Sequence, residues 1–154
     1  MVSVEDRLAA MGVKLPAEIP PAGNYLRSCQ VGNLLFLSGH LPDSDGVPRY
    51  MGRLGQELTT ADGYQAARAA TINALGTIRN AIGDFGRVRH FVKLLGMVNS
   101  TPDFTEQPLV MNGASDLLAE LFGPEIAPHA RSAVGMAVLP RGNSVEIEMI
   151  LDVA

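Results

Sequence analysis

Apolar residues recur at helical spacing in three stretches of the chain and alternate or run together in five others. Val4, Leu8 and Met11 share one face of a short helix predicted over residues 4–11, with Ser3 placed to cap it, Glu5 and Asp6 in its first turn and Gly12 as its stop. Tyr64, Ala67, Thr71, Ala74, Ile78 and Ile82 form a longer stripe. It predicts a helix capped by Thr59 or Thr60 and running to about residue 82, where Gly83-Asp84-Phe85-Gly86 ends it. Val110, Ala114, Leu117 and Leu121 predict a second long helix that stops before Gly123-Pro124.

The remaining apolar stretches predict strands. Residues 25–31 and 34–38 are joined by Gly32-Asn33, a connection that suits a tight hairpin, and Leu34-Leu35-Phe36-Leu37 is expected to be buried on both faces. Residues 88–98 also look two-sided, with Val92, Leu94 and Val98 on one face and Phe91, Leu95 and Met97 on the other. Pro16, Pro20 and Pro21 make residues 16–23 an extended lead-in, and the Gly- and Pro-rich residues 39–55 are expected to be a long loop. Near the C-terminus, His129 to Val134 and Val145 to Glu148 flank Pro140-Arg141-Gly142-Asn143, which reads as a terminal β-hairpin. In that hairpin Arg131 would pair near Leu151 and Glu146 near Met136, leaving the two about 16 Å apart along the ladder. A site using both would therefore take them from two different subunits.

Strand, strand, helix, strand, helix, strand, strand, preceded by a small helix, is an α+β order: helices layered on one face of a mixed sheet. The 154 residues, 47% hydrophobic, suit one domain over residues 1–154, with residues 1–23 as an N-terminal helix and Pro-rich lead-in. Strands apolar on both faces need cover on the side without helices, and self-association is the simplest source of it.

Charge and cysteine content narrow the chemistry. A net charge of −4 and a pI near 5.3 lack the basic footprint that phosphate backbones require, so nucleic acid is not an expected partner and a ribonuclease is disfavoured. Cys29 is the only cysteine, which rules out an internal disulfide and a thiolate cluster. The histidines His40, His90 and His129 show no ligand spacing, and no metal is expected. The first residues lack the apolar core of a signal peptide and no stretch approaches a membrane span, so a cytoplasmic protein without a membrane partner is expected.

Few residues offer chemistry. Arg131 opens a strand, where its planar guanidinium can hold a carboxylate through two parallel hydrogen bonds; the alternative is a surface ion pair. Glu146 and Glu148 share a face of the last strand. A desolvated acid there would have a raised pKa suited to orienting or deprotonating a water, and the alternative is a solvated strand. Ser38 and Ser132 lack a Gly-x-Ser-x-Gly elbow, and Gly39, Gly46 and Gly52 do not form a phosphate-cradling loop.

Gly32-Asn33-Leu34-Leu35-Phe36-Leu37-Ser38-Gly39-His40-Leu41-Pro42, Ala130-Arg131-Ser132-Ala133-Val134, Leu139-Pro140 and Val145-Glu146-Ile147-Glu148 together resemble the RidA/YjgF family of reactive-intermediate deaminases, also labelled endoribonuclease L-PSP. The resemblance runs from about Tyr25 to the C-terminus. It implies a chorismate-mutase-like α+β protomer with two main helices on one face of a mixed sheet, assembled as a homotrimer with pockets between subunits. It implies hydrolytic deamination of small 2-imino acids to 2-keto acids and ammonia, without a cofactor. Arg131 then grips the substrate carboxylate and Glu146 holds the attacking water, with Tyr25, Ser38, Gly39, His40 and Ala133 as the substrate-binding set. Active relatives carry Cys or Thr where this chain has Ala133, and Gln where it has His40. The second reading is therefore a non-catalytic carboxylate-binding or regulatory member of the same family.

Overall fold

The helices begin at side chains that satisfy their first free amides. The computed structural model describes residues 2–17, 20–44 and 46–154. Helix α1 (Val4–Ala10) is closed by a reciprocal capping box between Ser3 and Asp6, and α2 (Thr60–Ile82) by the same device between Thr59 and Asp62. Gly83 ends α2 in the left-handed conformation, φ 79°, a geometry that costs glycine little. Helix α3 (Gln107–Ile126) has Pro108 in its first turn and a break at Gly123 (φ 75°, ψ 179°), where its end was expected. Ala67, Thr71, Ala74, Ile78 and Ile82 of the α2 stripe, and Val110, Ala114, Leu117 and Leu121 of the α3 stripe, are all buried.

The helices cover one face of a five-stranded mixed sheet built from β1 (Ser28–Val31), β2 (Leu34–Leu37), β5 (Val88–Asn99), β6 (Ala130–Met136) and β7 (Val145–Val153). Its order is β1-β2-β7-β5-β6, antiparallel throughout except for the parallel pair β5–β6. A second, two-stranded ladder, β3 (Asp43–Ser44) with β4 (Val47–Pro48), stands within the stretch expected to be an irregular loop.

The terminal hairpin does not form. Strands β6 and β7 lie on opposite sides of β5, and Pro140–Gly142 makes a single 3-10 turn in the chain that crosses between them. Arg131 is opposite Leu94 and Glu146 is opposite Met97, in place of the partners Leu151 and Met136. The physical reason is the β5–α3–β6 unit: a 20-residue helix is long enough to carry the chain back for parallel pairing, which places β6 at the sheet edge.

Two further expectations are corrected. Register shifts in β5 between Val88 and His90 and between Phe91 and Lys93 reset its alternation, so Phe91 and Leu94 both face the core while Val92 is 38% exposed. Phe36, expected to be buried, is 40% exposed in the protomer, on the face away from the helices. Leu95, Met97 and Ile150 on that face are also partly exposed, so in the protomer the second face presents apolar residues to the outside beside Glu146 and Glu148. Among the described residues no helix is long and apolar enough to cross a membrane.

Candidate active site

Arg131 stands on the edge strand β6, opposite the inward-facing Leu94, so its side chain leaves the sheet on the helix side. Helix α3 receives it. The two terminal nitrogens donate to Asn112 Oδ1 (3.0 Å), Ser115 Oγ (3.0 Å) and the Pro108 carbonyl (3.1 Å). All three acceptors are neutral, and Arg131 takes part in none of the three ion pairs among the described residues. Its orientation is fixed and its charge is left for something else.

His129 braces this arrangement from behind. Burial, and less strongly the Arg131 charge, hold its pKa below the usual value, against a hydrogen bond to a backbone carbonyl that opposes the shift. The neutral ring donates from Nδ1 to the Ala127 carbonyl at 2.7 Å, which leaves Nε2 to accept from Ser115 Oγ at 3.0 Å. Ser115 therefore has its proton turned toward His129 and its lone pairs toward Arg131. A cavity of about 420 Å³ opens beside these groups, lined also by Gly123, Pro124 and Ala127.

Glu146 occupies a separate place. It alternates with the buried Val145 and Ile147, so it leaves the face of β7 away from the helices, alongside Gly39. A methyl group at Gly39 would overlap the Glu146 carboxylate, so the missing side chain is what lets the acid lie there. Burial, with Glu148 as a second cause, raises the Glu146 pKa above its usual value. Glu146, Gly39 and Tyr25 line a cavity of about 350 Å³ together with Arg27, Thr77 and Arg141. Tyr25 is 48% exposed, and its hydroxyl accepts from the Ala22 amide at 3.4 Å.

Ser38 and His40 support this cavity without lining it. The Ser38 hydroxyl donates to the Leu26 carbonyl at 2.6 Å, and its amide donates to the Arg27 carbonyl at 3.0 Å. His40 is wholly buried, with its pKa lowered to about 4 chiefly by burial and then by the Arg27 charge. The ring is therefore neutral near pH 7: Nδ1–H donates to the Ser38 carbonyl at 2.7 Å and Nε2 accepts from the Thr77 hydroxyl at 2.8 Å. Its backbone also pairs with Ile147 in both directions, which pins the chain leaving Gly39 against β7. Ala133 lies opposite Gly96 on β6 and packs against the core.

Within one protomer, then, Tyr25, Gly39 and Glu146 are together and Arg131 is elsewhere. Arg131 and Glu146 sit on the strands flanking β5, three residues apart in register, which puts their backbones about 14 Å apart with the side chains on opposite faces. Several contributors escape a reading of the sequence. Thr77 and Asn73 of α2 hold His40 and the Leu41 and Asp43 carbonyls, and their only signal is polar residues four apart beside the apolar stripe. Arg27 and the Asn112–Ser115 pair carry no motif.

A protein-family model described as "YjgF/chorismate_mutase-like, putative endoribonuclease" matches residues 5–151. The chain is 44% identical over 149 residues to Protein TCP17 of Trypanosoma cruzi, covering 97% of this chain and 93% of that protein. It is 27% identical over 142 residues to a 2-iminobutanoate/2-iminopropanoate deaminase of Dermatophagoides farinae, covering 90% and 93%. Among solved structures, protein Atu1372 of Agrobacterium tumefaciens, of unknown function, superposes with a TM-score of 0.90 at 41% identity, over 98% of this chain and 94% of that one.

Proposed function

The chain belongs to the YjgF/chorismate-mutase-like (RidA) family, and on that premise we propose that it hydrolyses small 2-imino acids to 2-keto acids and ammonia. The pocket is formed between subunits of a homotrimer, with Arg131 from one chain and Glu146 from its neighbour. The observation that carries this reading is the Arg131 guanidinium, held by three neutral acceptors and in no ion pair among the described residues. A substrate carboxylate is the ligand such a group fits. The similarity to a protein named as a 2-iminobutanoate/2-iminopropanoate deaminase supports the same chemistry.

The reaction asks little of the protein. Water adds to the imine carbon as Glu146 takes one of its protons and passes it to the nitrogen, giving a carbinolamine; the carboxylate then takes the hydroxyl proton and delivers it to the amino group, so that the C=O bond forms as the C–N bond breaks and ammonia leaves. A raised pKa favours both halves of that proton cycle, because the ionised acid is a better base and the protonated acid is still populated nearer neutral pH. The clamp on the carboxylate supplies the positioning.

Generating 2-iminopropanoate or 2-iminobutanoate in place with an amino acid oxidase and following its decay tests this. Wild type should accelerate the decay, and Arg131→Ala should lose about a hundredfold or more of the acceleration, the scale of a lost charge-assisted clamp. No acceleration by wild type, or full acceleration by R131A, defeats the proposal. Carboxylate binding that depends on Arg131 without turnover would instead identify a binding module, the reading that Ala133 favours.

A further inference from the structure

The cavity beside Glu146 contains a cation for which the proposed hydrolysis has no use. Arg27 precedes β1, where its carbonyl accepts the Ser38 amide at 3.0 Å, so the base of its side chain is fixed at the sheet edge. Its Nε is buried without a hydrogen-bond partner, and it takes part in none of the three ion pairs among the described residues. Arg141, which lines the same cavity, is already engaged by Asp43 Oδ2 at 3.0 Å and the Gly46 carbonyl at 3.2 Å. Glu146 does not neutralise Arg27 either, since it is absent from those ion pairs.

A guanidinium that lines a cavity and is in none of the ion pairs among the described residues gains charge-assisted hydrogen bonds when an anion in the cavity meets its terminal nitrogens. The cavity, about 350 Å³, falls within the range of small-ligand sites. In the proposed pocket the substrate's own carboxylate is taken by Arg131 of the neighbouring subunit. Whatever reaches Arg27 is therefore a second acidic group, at the other end of a substrate whose imine carbon lies near Glu146.

We propose that Arg27 is a specificity-determining residue that binds a side-chain carboxylate, so that the pocket prefers dicarboxylic imino acids to monocarboxylic ones of the same length. This rests on the imine-hydrolase reading for the position of the first carboxylate. The order of groups is then carboxylate on Arg131, imine carbon at the water held by Glu146, and distal carboxylate on Arg27.

Calorimetric titration of the intact protein with 2-oxoglutarate and with 2-oxopentanoate tests the preference without requiring turnover, because the two keto acids share a five-carbon chain and differ by the distal carboxylate. Wild type should bind 2-oxoglutarate about tenfold or more tightly than 2-oxopentanoate. Arg27→Gln should bring the ratio to within about twofold. Arg27→Lys, which keeps a point charge but loses the planar fork, should fall between. Equal affinities in wild type, or a preference that survives in both variants, overturns the assignment to Arg27. If Arg131→Ala still abolishes binding of both ligands in that case, the carboxylate pocket stands. Binding of neither keto acid by folded wild type defeats the carboxylate pocket and the Arg27 inference together.

Discussion

Arg131 stands out in the sequence as a guanidinium at the mouth of a strand, where it can be a carboxylate clamp or half of a surface ion pair, and it is in none of the three ion pairs among the described residues. Its reliability as a clamp depends on Asn112 and Ser115, which nothing in the linear sequence ties to it, and on His129, two residues before it, whose bond to Ser115 the sequence does not show. His40 shows the reverse: it stands in a recognisable motif, yet its ring is buried and committed to Ser38 and Thr77, so its part is to hold the Gly39 turn. Gly39 is where one atom separates site from scaffold. Its added methyl would meet only the flexible end of Glu146, so Gly39→Ala should leave stability within about 1 kcal/mol of wild type, the cost of turning one side chain from its rotamer. The carboxylate would be turned away from the water, and kcat should fall roughly a hundredfold, toward the level of Glu146→Ala. Urea unfolding read beside single-turnover rates separates the two effects. A large loss of stability, or unchanged kcat, would show that Glu146 does not need this position.

The helices could be read from the sequence because caps and stripes are local. Ser3 with Asp6 and Thr59 with Asp62 close their first turns within four residues of chain, and a 3.6-residue period shows which side is buried. Strand pairing is not local. Pro140-Arg141-Gly142-Asn143 has the composition of a hairpin turn, but β6 gains seven paired positions on β5 through the α3 crossover, and β7 fills the slot on the other side. The alternation in β5 departs from the expected one for a similar reason, since a bulge is visible only once the partner strand is known. A close approach of two helices is equally hidden: a side chain at Gly113 of α3 would run into the backbone carbonyl of Tyr64 in α2. Backbone cannot swing aside as a carboxylate can. Gly113→Ala should therefore cost about 1–3 kcal/mol or more in equilibrium unfolding, by pushing the two helices apart. A variant as stable as wild type would mean that the helix pair tolerates a wider spacing than it adopts.

In the proposed reading one protomer holds two half-sites, and that division constrains how the molecule can assemble. Arg131 with its α3 supports lies on the helix side of the edge strand, and Glu146 with Gly39 and Tyr25 lies on the far face, too distant for a three- or four-carbon imino acid to touch both. The uncovered apolar face, with Phe36 40% exposed and Leu95, Met97 and Ile150 partly so, supplies surface for subunits to meet. In the proposed cyclic trimer each pocket takes Arg131 from one chain and Glu146 from the next, so neither Arg131→Ala nor Glu146→Gln alone leaves an intact pocket. Mixing the two inactive chains does. If equal amounts are unfolded and refolded together, the chance that a pocket draws wild-type Arg131 from one side is about one half and wild-type Glu146 from the other about one half, giving about a quarter of wild-type activity. Light scattering on the same sample should give about three times the 16.3 kDa chain mass. A mixture as inactive as its components, at trimer mass, would place both groups of each working pocket within one chain and would require Arg131 to leave α3 and reach the opposite face of the sheet. The three hydrogen bonds that hold it make that the costlier arrangement.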